Sequence, residues 1–172
     1  YLILKYTAGY TNSEIADVLD QWNQGDVQSY LVDITVTVLR EKDSITEHDL
    51  VDVILDVAGN KGTGRWTSIE ALRQEFNASL LTAAYQARIM SNQLALRDAY
   101  RNESAIHKKN VDIEKVHQAY KLAKTVAFAQ GFNLYRDASN KYSWDLNLKQ
   151  IAAIFRAGCI IQAKLLQDIM HA

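Results

Sequence analysis

The sequence contains no proline. Proline breaks helix interiors and punctuates loops, so its absence removes a common obstacle to long uninterrupted helices and points to an all-α fold. Cysteine is nearly missing as well. Cys159 stands alone, which excludes an internal disulfide framework and agrees with a reducing compartment. Charge of one sign is also lacking: 19 basic residues face 20 acidic ones, for a formal net charge of −1. General electrostatic attraction to nucleic acid or to an anionic membrane is thereby excluded, and any anion site has to be local. Arg156 interrupts the most apolar late segment before it reaches spanning length, and no signal-peptide pattern starts at Tyr1, so no membrane association is expected. What remains is 172 residues, 48% hydrophobic and 23% charged. These values suit one domain, residues 1–172, with a real core.

Capping and periodicity divide this chain into helices. Residues 1–6 carry helical apolar content with no cap before them, as though a longer helix had been cut, so the chain reads as a fragment. Thr11-Asn12-Ser13-Glu14 reads as a capping box ahead of Ile15, Val18, Leu19 and Trp22, closed by Gly25, with Asp26 as the next cap. Residues 30–39 carry two signals. Val32, Ile34, Val36 and Val38 alternate as in a strand, while Leu31, Ile34 and Val38 share a helical face; with no second strand to pair with, the prediction is helix. Ser44 or Thr46 is expected to cap a helix with Leu50, Ile54 and Val57 inside, and Thr67-Ser68-Ile69-Glu70 reads as a second capping box. Asn77 is the expected cap of a helix reaching about Leu96, with Arg88 at the edge of an apolar stripe. His107 falls in a charged connection and His117 in an exposed early turn, and neither is given a role. Asn110 is expected to cap a long helix whose Ala123, Ala127 and Gly131 form a strip for close helix approach. A last helix is expected from Asp145 or Asn147 through Ile169, with Cys159 as a small buried hydrophobe and Arg156 bracing a carboxylate.

Glycine is concentrated at one place, Gly59-Asn60-Lys61-Gly62-Thr63-Gly64-Arg65-Trp66. Glycines let a loop take φ > 0 and bring backbone N–H groups close to a ligand, while Lys61, Thr63 and Arg65 add charge and a hydroxyl. The order matches neither a Walker loop nor the Gly-x-Gly-x-x-Gly of dinucleotide folds. From these residues alone, a local phosphate cradle and a simple turn between helices stand as equal readings. Arg88, read from composition and periodicity alone, is first a snorkelling arginine or an internal ion pair, and only second a ligand group.

The run Ala58-Gly59-Asn60-Lys61-Gly62-Thr63-Gly64-Arg65-Trp66-Thr67 closely resembles the signature of 6-phosphogluconate dehydrogenases, in their all-helical C-terminal half. The resemblance extends to Trp22-Asn23, Ala87-Arg88, Ala129-Gln130-Gly131-Phe132, Trp144-Asp145-Leu146-Asn147 and Arg156-Ala157-Gly158-Cys159. It implies an all-α substrate-binding and dimerisation domain of long antiparallel helices. It further implies a cytoplasmic pentose-phosphate-pathway enzyme, normally a homodimer, that oxidatively decarboxylates 6-phosphogluconate to ribulose 5-phosphate with NADP. By the same resemblance Lys61, Thr63 and Arg88 hold the substrate's phosphate. The catalytic lysine and glutamate, the nucleotide-binding domain and the C-terminal tail have no counterpart in this sequence, which implies that this piece alone is inactive. One stretch departs from the pattern: Arg73-Gln74-Glu75-Phe76-Asn77 replaces an acidic residue and a Gly-Val-Pro turn. A non-catalytic helical interaction module and a β-hydroxyacid dehydrogenase domain for a non-phosphorylated acid are the alternatives, and neither requires Lys61 and Arg88 to come together.

Overall fold

The computed structural model describes residues 1–100 and 109–171. Among these the fold is all-α, with no strand. A π-helical turn at Ile3–Ala8 precedes α1 (Asn12–Asn23), α2 (Tyr30–Arg40), α3 (Leu50–Val53), α4 (Thr63–Arg73), α5 (Ser79–Ser91), α6 (Leu94–Ala99), α7 (Ile113–Tyr142), α8 (Leu148–Ile154) and α9 (Leu165–His171). Residues 1–54, 109–122 and 149–171 gather into one compact unit, and residues 55–100 and 123–148 into another. His107, read as part of an exposed connection, lies outside the described residues.

In the first unit the Thr11 capping box forms as expected. Thr11 Oγ1 accepts from the Glu14 N–H at 3.2 Å, and Glu14 Oε2 accepts from the Thr11 N–H at 2.7 Å. These two bonds satisfy donors that a helix start otherwise leaves free, and they launch α1. The core is built from Leu4, Ile15, Ala16, Val32, Val36 and Leu39. The helical prediction for α2 therefore holds, but its inward face differs: Val32, Val36 and Leu39 are buried, whereas Leu31 and Val38 are exposed. Ser29, not Asp26, caps α2, its Oγ accepting from the Val32 N–H.

A polar knot replaces the helix expected before Gly59. The buried Asn12 amide donates to Asp49 Oδ2 at 2.7 Å and Asp52 Oδ2 at 2.8 Å, and its oxygen accepts from Lys5 Nζ at 2.7 Å. Lys42 and then Asn12, both donating to Asp49, hold its carboxyl below the usual carboxylate range. With residues 49 and 52 drawn into this knot, α3 is only four residues long and Ile54 is exposed. Neither Ser44 nor Thr46 caps it; Thr46 instead donates through its N–H and hydroxyl to Asp43. The expected last helix is also interrupted. Gly158 takes φ +65°, and the backbone after α8 pairs with residues 28–30 through Tyr30 N–H to Gln162 O at 3.0 Å and Lys164 N–H to Gln28 O at 3.1 Å. Cys159 is half-buried rather than buried, and Arg156 is exposed and donates to Met170 Sδ instead of bracing a carboxylate. His117, expected in solvent, is partly covered and stacks on Trp22 with ring centroids 4.8 Å apart.

The second unit has a smaller core, Ala71, Ala78 and Leu134, with Phe76 and Leu81 packed against it. Thr67 begins no helix: it lies inside α4 and its hydroxyl donates to Thr63 O at 2.9 Å. The unusual stretch 73–77 forms a Schellman ending. Phe76 N–H reaches Ala71 O at 2.8 Å and Glu75 N–H reaches Leu72 O at 3.1 Å, with Glu75 at φ +56°. Ala78 occupies the N-cap position of α5 and offers no capping side chain, but Asn77, the expected cap, accepts from the Ser79 N–H through Oδ1 at 3.1 Å, and the helix stops at Ser91, short of Leu96. Its free N–H groups are met from α7: Gln130 Oε1 accepts from Leu80 at 3.1 Å and from Leu81 at 3.3 Å. Asp112, not Asn110, caps α7 by accepting from the Lys115 N–H. On the small-residue strip of α7, Ala123 is exposed, Ala127 is half-buried, and a Cβ added at Gly131 would meet nothing within 4 Å among the described residues.

Candidate functional site

The glycine-rich segment is the loop into α4, and each of its two central glycines has a separate cause. Gly62 sits at φ +103°, outside the ordinary range for L residues, and stands at the N-cap position of α4. Asn60 Oδ1 accepts its N–H at 2.8 Å, an Asx turn that aims the chain into the helix. The Trp66 ring lies over it so closely that a Cβ at residue 62 would come within 3.1 Å of Trp66 Cζ2. Gly64 admits close packing of α5, because a Cβ there would stand 3.2 Å from Tyr85 Cδ2. Tyr85 and Arg88, three residues apart, share a face of α5. The packing that requires Gly64 thus also brings Arg88 to the loop.

Arg88 Nη1 donates to Gly59 O at 3.2 Å. That bond lies two residues before Lys61, so the predicted cations belong to one local structure even though no bond joins Lys61, Thr63 and Arg88 to one another. All three are exposed. Arg88 was expected beside a buried stripe, but α5 contains no buried residue, and the guanidinium is held by the loop carbonyl rather than by burial. Gly62 offers no capping side chain, and among the described residues nothing accepts from the N–H groups of Thr63, Gly64 and Arg65. Such a helix start carries roughly half a positive charge and presents its donors outward. Chemically, the arrangement offers three N–H donors, a hydroxyl, an ammonium and a guanidinium to an anion.

Arg97 and Ser91 belong to this structure and carried no local sequence signal, because the partners that join them to the loop, Asp56 and Ala58, lie far away in the chain. Arg97 pairs with the Asp56 carboxylate, which raises its guanidinium above the ordinary value. Ser91 Oγ donates to Arg88 O at 2.7 Å. Among the described residues no group of three or more His, Cys, Asp or Glu is placed to hold a metal, and no helix is long and apolar enough to cross a membrane.

The family model for the C-terminal domain of 6-phosphogluconate dehydrogenase matches residues 1–172. The chain belongs to this family. A Bacillus subtilis (strain 168) relative, an NAD(+)-dependent, decarboxylating 6-phosphogluconate dehydrogenase, is 42% identical over 179 residues, covering 100% of this chain and 38% of the relative. A decarboxylating 6-phosphogluconate dehydrogenase of Salmonella typhimurium is 46% identical over 178 residues, with the same shares of 100% and 38%. Among solved structures, Plasmodium falciparum 6-phosphogluconate dehydrogenase, described in its apo form and in complex with its cofactor NADP+ and its substrate 6-phosphogluconate, aligns with a TM-score of 0.88. Its identity is 34%, and the match covers 100% of this chain and 38% of that one. The chain therefore spans 38% of the length of these relatives.

The nicotinamide cofactor of a 6-phosphogluconate dehydrogenase does not fit the residues of this loop. Its glycines lack dinucleotide spacing, and Trp66 covers Gly62 where a pyrophosphate would need open backbone.

Proposed function

We propose that this chain is the helical substrate-binding and dimerisation domain of a cytoplasmic, homodimeric 6-phosphogluconate dehydrogenase that oxidatively decarboxylates 6-phosphogluconate to ribulose 5-phosphate. Lys61, Thr63 and Arg88 take the substrate's phosphate: the lysine as a point charge, the threonine through its hydroxyl, and the arginine through its forked guanidinium. The uncapped start of α4 adds backbone donors to the same anion. Dinucleotide binding, with NADP as hydride acceptor, and the proton transfers at the sugar carbons are assigned to residues outside this chain. The observation that carries this reading is the bond from Arg88 to the Gly59 carbonyl, which fastens a cation of α5 to the loop that presents Lys61. Neither a non-catalytic module nor a site for a non-phosphorylated acid calls for that convergence.

The test uses the full-length enzyme that carries this chain. Losing one charged hydrogen-bonding partner costs about 1.5 to 3 kcal/mol, or roughly ten- to two-hundred-fold in affinity. A phosphate remote from the reacting carbons is held about equally in ground state and transition state, so the loss falls mainly on KM. Lys61→Ala and Arg88→Ala should therefore lose most of the preference for 6-phosphogluconate over gluconate, measured as a ratio of kcat/KM values, while the KM for NADP barely moves. If both variants keep the full preference, the loop is only a connection between helices.

A further inference from the structure

We propose that Arg97 is a positioning residue for phosphate binding, acting with Ser91 and Asp56 to fix the distance between Arg88 and the loop that carries Lys61; this rests on the reading of Lys61, Thr63 and Arg88 as the phosphate site. The chain of contacts begins at the end of α5, where the Asn92 N–H turns to Ile89 O and Met90 O. The carbonyls of Arg88 and Ser91 are consequently left for other donors, as at any helix end. Ser91 Oγ donates to Arg88 O at 2.7 Å and accepts from the Ala58 N–H at 3.4 Å, so one hydroxyl ties the backbone of Arg88 to the residue before Gly59. Arg97, on the short helix α6, then spans the same gap a second time. Its Nη1 donates to Ser91 O at 2.9 Å and to Asp56 O at 3.4 Å, while Nη2 binds the Asp56 carboxylate. A planar guanidinium presents its donors in a rigid fork, which suits a brace between two strands of backbone.

The brace has a consequence for ligand binding that burial does not provide, because α5 contributes no buried residue. Two cations that must meet one phosphate bind it well only if their separation is set beforehand; otherwise ordering them consumes part of the binding energy. Arg88 is fastened at both ends of its side chain's reach: its guanidinium on Gly59 O and its backbone, through Ser91 and Arg97, on residues 56 and 58.

The experiment is a double-mutant cycle in the full-length enzyme, with the 6-phosphogluconate to gluconate ratio of kcat/KM as its readout. Arg97→Ala should lower that ratio about three- to tenfold, through the KM for 6-phosphogluconate, as expected for lost hydrogen-bonded positioning rather than a lost ligand contact. Ser91→Ala, which removes a single hydroxyl and endangers folding least, should lower it in the same direction by a smaller factor. In an Arg88→Ala background both effects should vanish, because nothing is left for the brace to position. Three results would overturn the proposal: an unchanged ratio in both variants, an equal loss for both substrates, or an Arg97→Ala effect of full size in the Arg88→Ala background. A separate outcome, Arg88→Ala by itself leaving the ratio intact, would remove Arg88 from the phosphate reading and the brace's purpose with it.

Discussion

Around Ile15 the chain is fastened by burial: Leu4, Ile15 and Ala16 are each at most 1% exposed, and the polar Asn12 beside them in the sequence has every group engaged. Around Gly62 it is fastened by direction. Trp66 is 60% exposed, no residue of α5 is fully buried, and the loop is kept in place by an Asx turn, two arginines and one serine hydroxyl. The two regions teach different things about substitution. Packed side chains are worth their transferred area and the cavity they prevent, whereas a hydrogen-bonded loop contributes modestly to stability but fixes where ligand groups stand. Changes near Ile15 should therefore be read in unfolding, and changes near Gly62 in affinity.

Ile15→Ala tests the first half of that contrast and should give the largest effect. Deleting a fully buried isoleucine to alanine costs about 2 to 5 kcal/mol. Amide exchange across α1 and α2 should quicken accordingly, while exchange in α4 and α5 stays near its starting rate. A loss below about 1 kcal/mol would mean that this core refills the cavity and is less tightly packed than its burial implies.

Gly62→Ala tests the second half. At φ +103° alanine is strained whatever space surrounds it, and the Trp66 ring must shift from a 3.1 Å approach. Strained backbone of this kind costs about 1 to 3 kcal/mol. The expected signature is a modest fall in melting temperature with a disproportionate fall in the 6-phosphogluconate to gluconate preference of the full-length enzyme. Equal falls for both substrates would show that the loop conformation matters only for folding.

What could be read in the sequence follows the same division. The Thr11 capping box, the helical outcome for residues 30–40 and the glycine turn that leads into α4 were legible because each rests on residues adjacent in the chain. The inward face of α2 was not legible, since Leu31, Ile34 and Val38 compete with Val32, Val36 and Leu39 as an apolar face, and only packing against Ile15 and Leu4 selects the second set. The short α3 was invisible for another reason: it is cut by Asn12, which claims Asp49 and Asp52 from 37 and 40 residues away. Arg97 and Gln130 escaped in the same way. Long-range polar partners leave no periodicity, and side chains that complete another helix's end resemble ordinary surface residues in sequence.

The smallest effect is expected at the C-terminal end of α4, and its sign is the opposite of the others. Glu75 holds the left-handed position of the Schellman ending of α4, at φ +56°, where its backbone suffers the Cβ crowding that glycine avoids. The position differs from Gly62 in a useful way. Near φ +57° the left-handed basin is allowed to L residues at a cost of about 1 to 2 kcal/mol, while φ +103° lies beyond it. Glu75→Gly relieves that crowding but gives the unfolded chain more freedom, which returns roughly 0.5 to 1 kcal/mol. The net gain should therefore be small, about 0 to 1.5 kcal/mol in favour of the folded state by the difference of those two contributions. Both hydrogen bonds of the ending are made by backbone and survive the change, and Phe76 keeps its place against Ala71 in the core. Paired melting curves of Glu75→Gly and Gly62→Ala give the sharpest form of the contrast, since the substitutions are chemical opposites at two positive-φ sites flanking the same helix. Destabilisation by Glu75→Gly beyond about 0.5 kcal/mol would mean that the glutamate side chain itself holds the turn, and that directional fastening in this unit extends past the loop to the far end of α4.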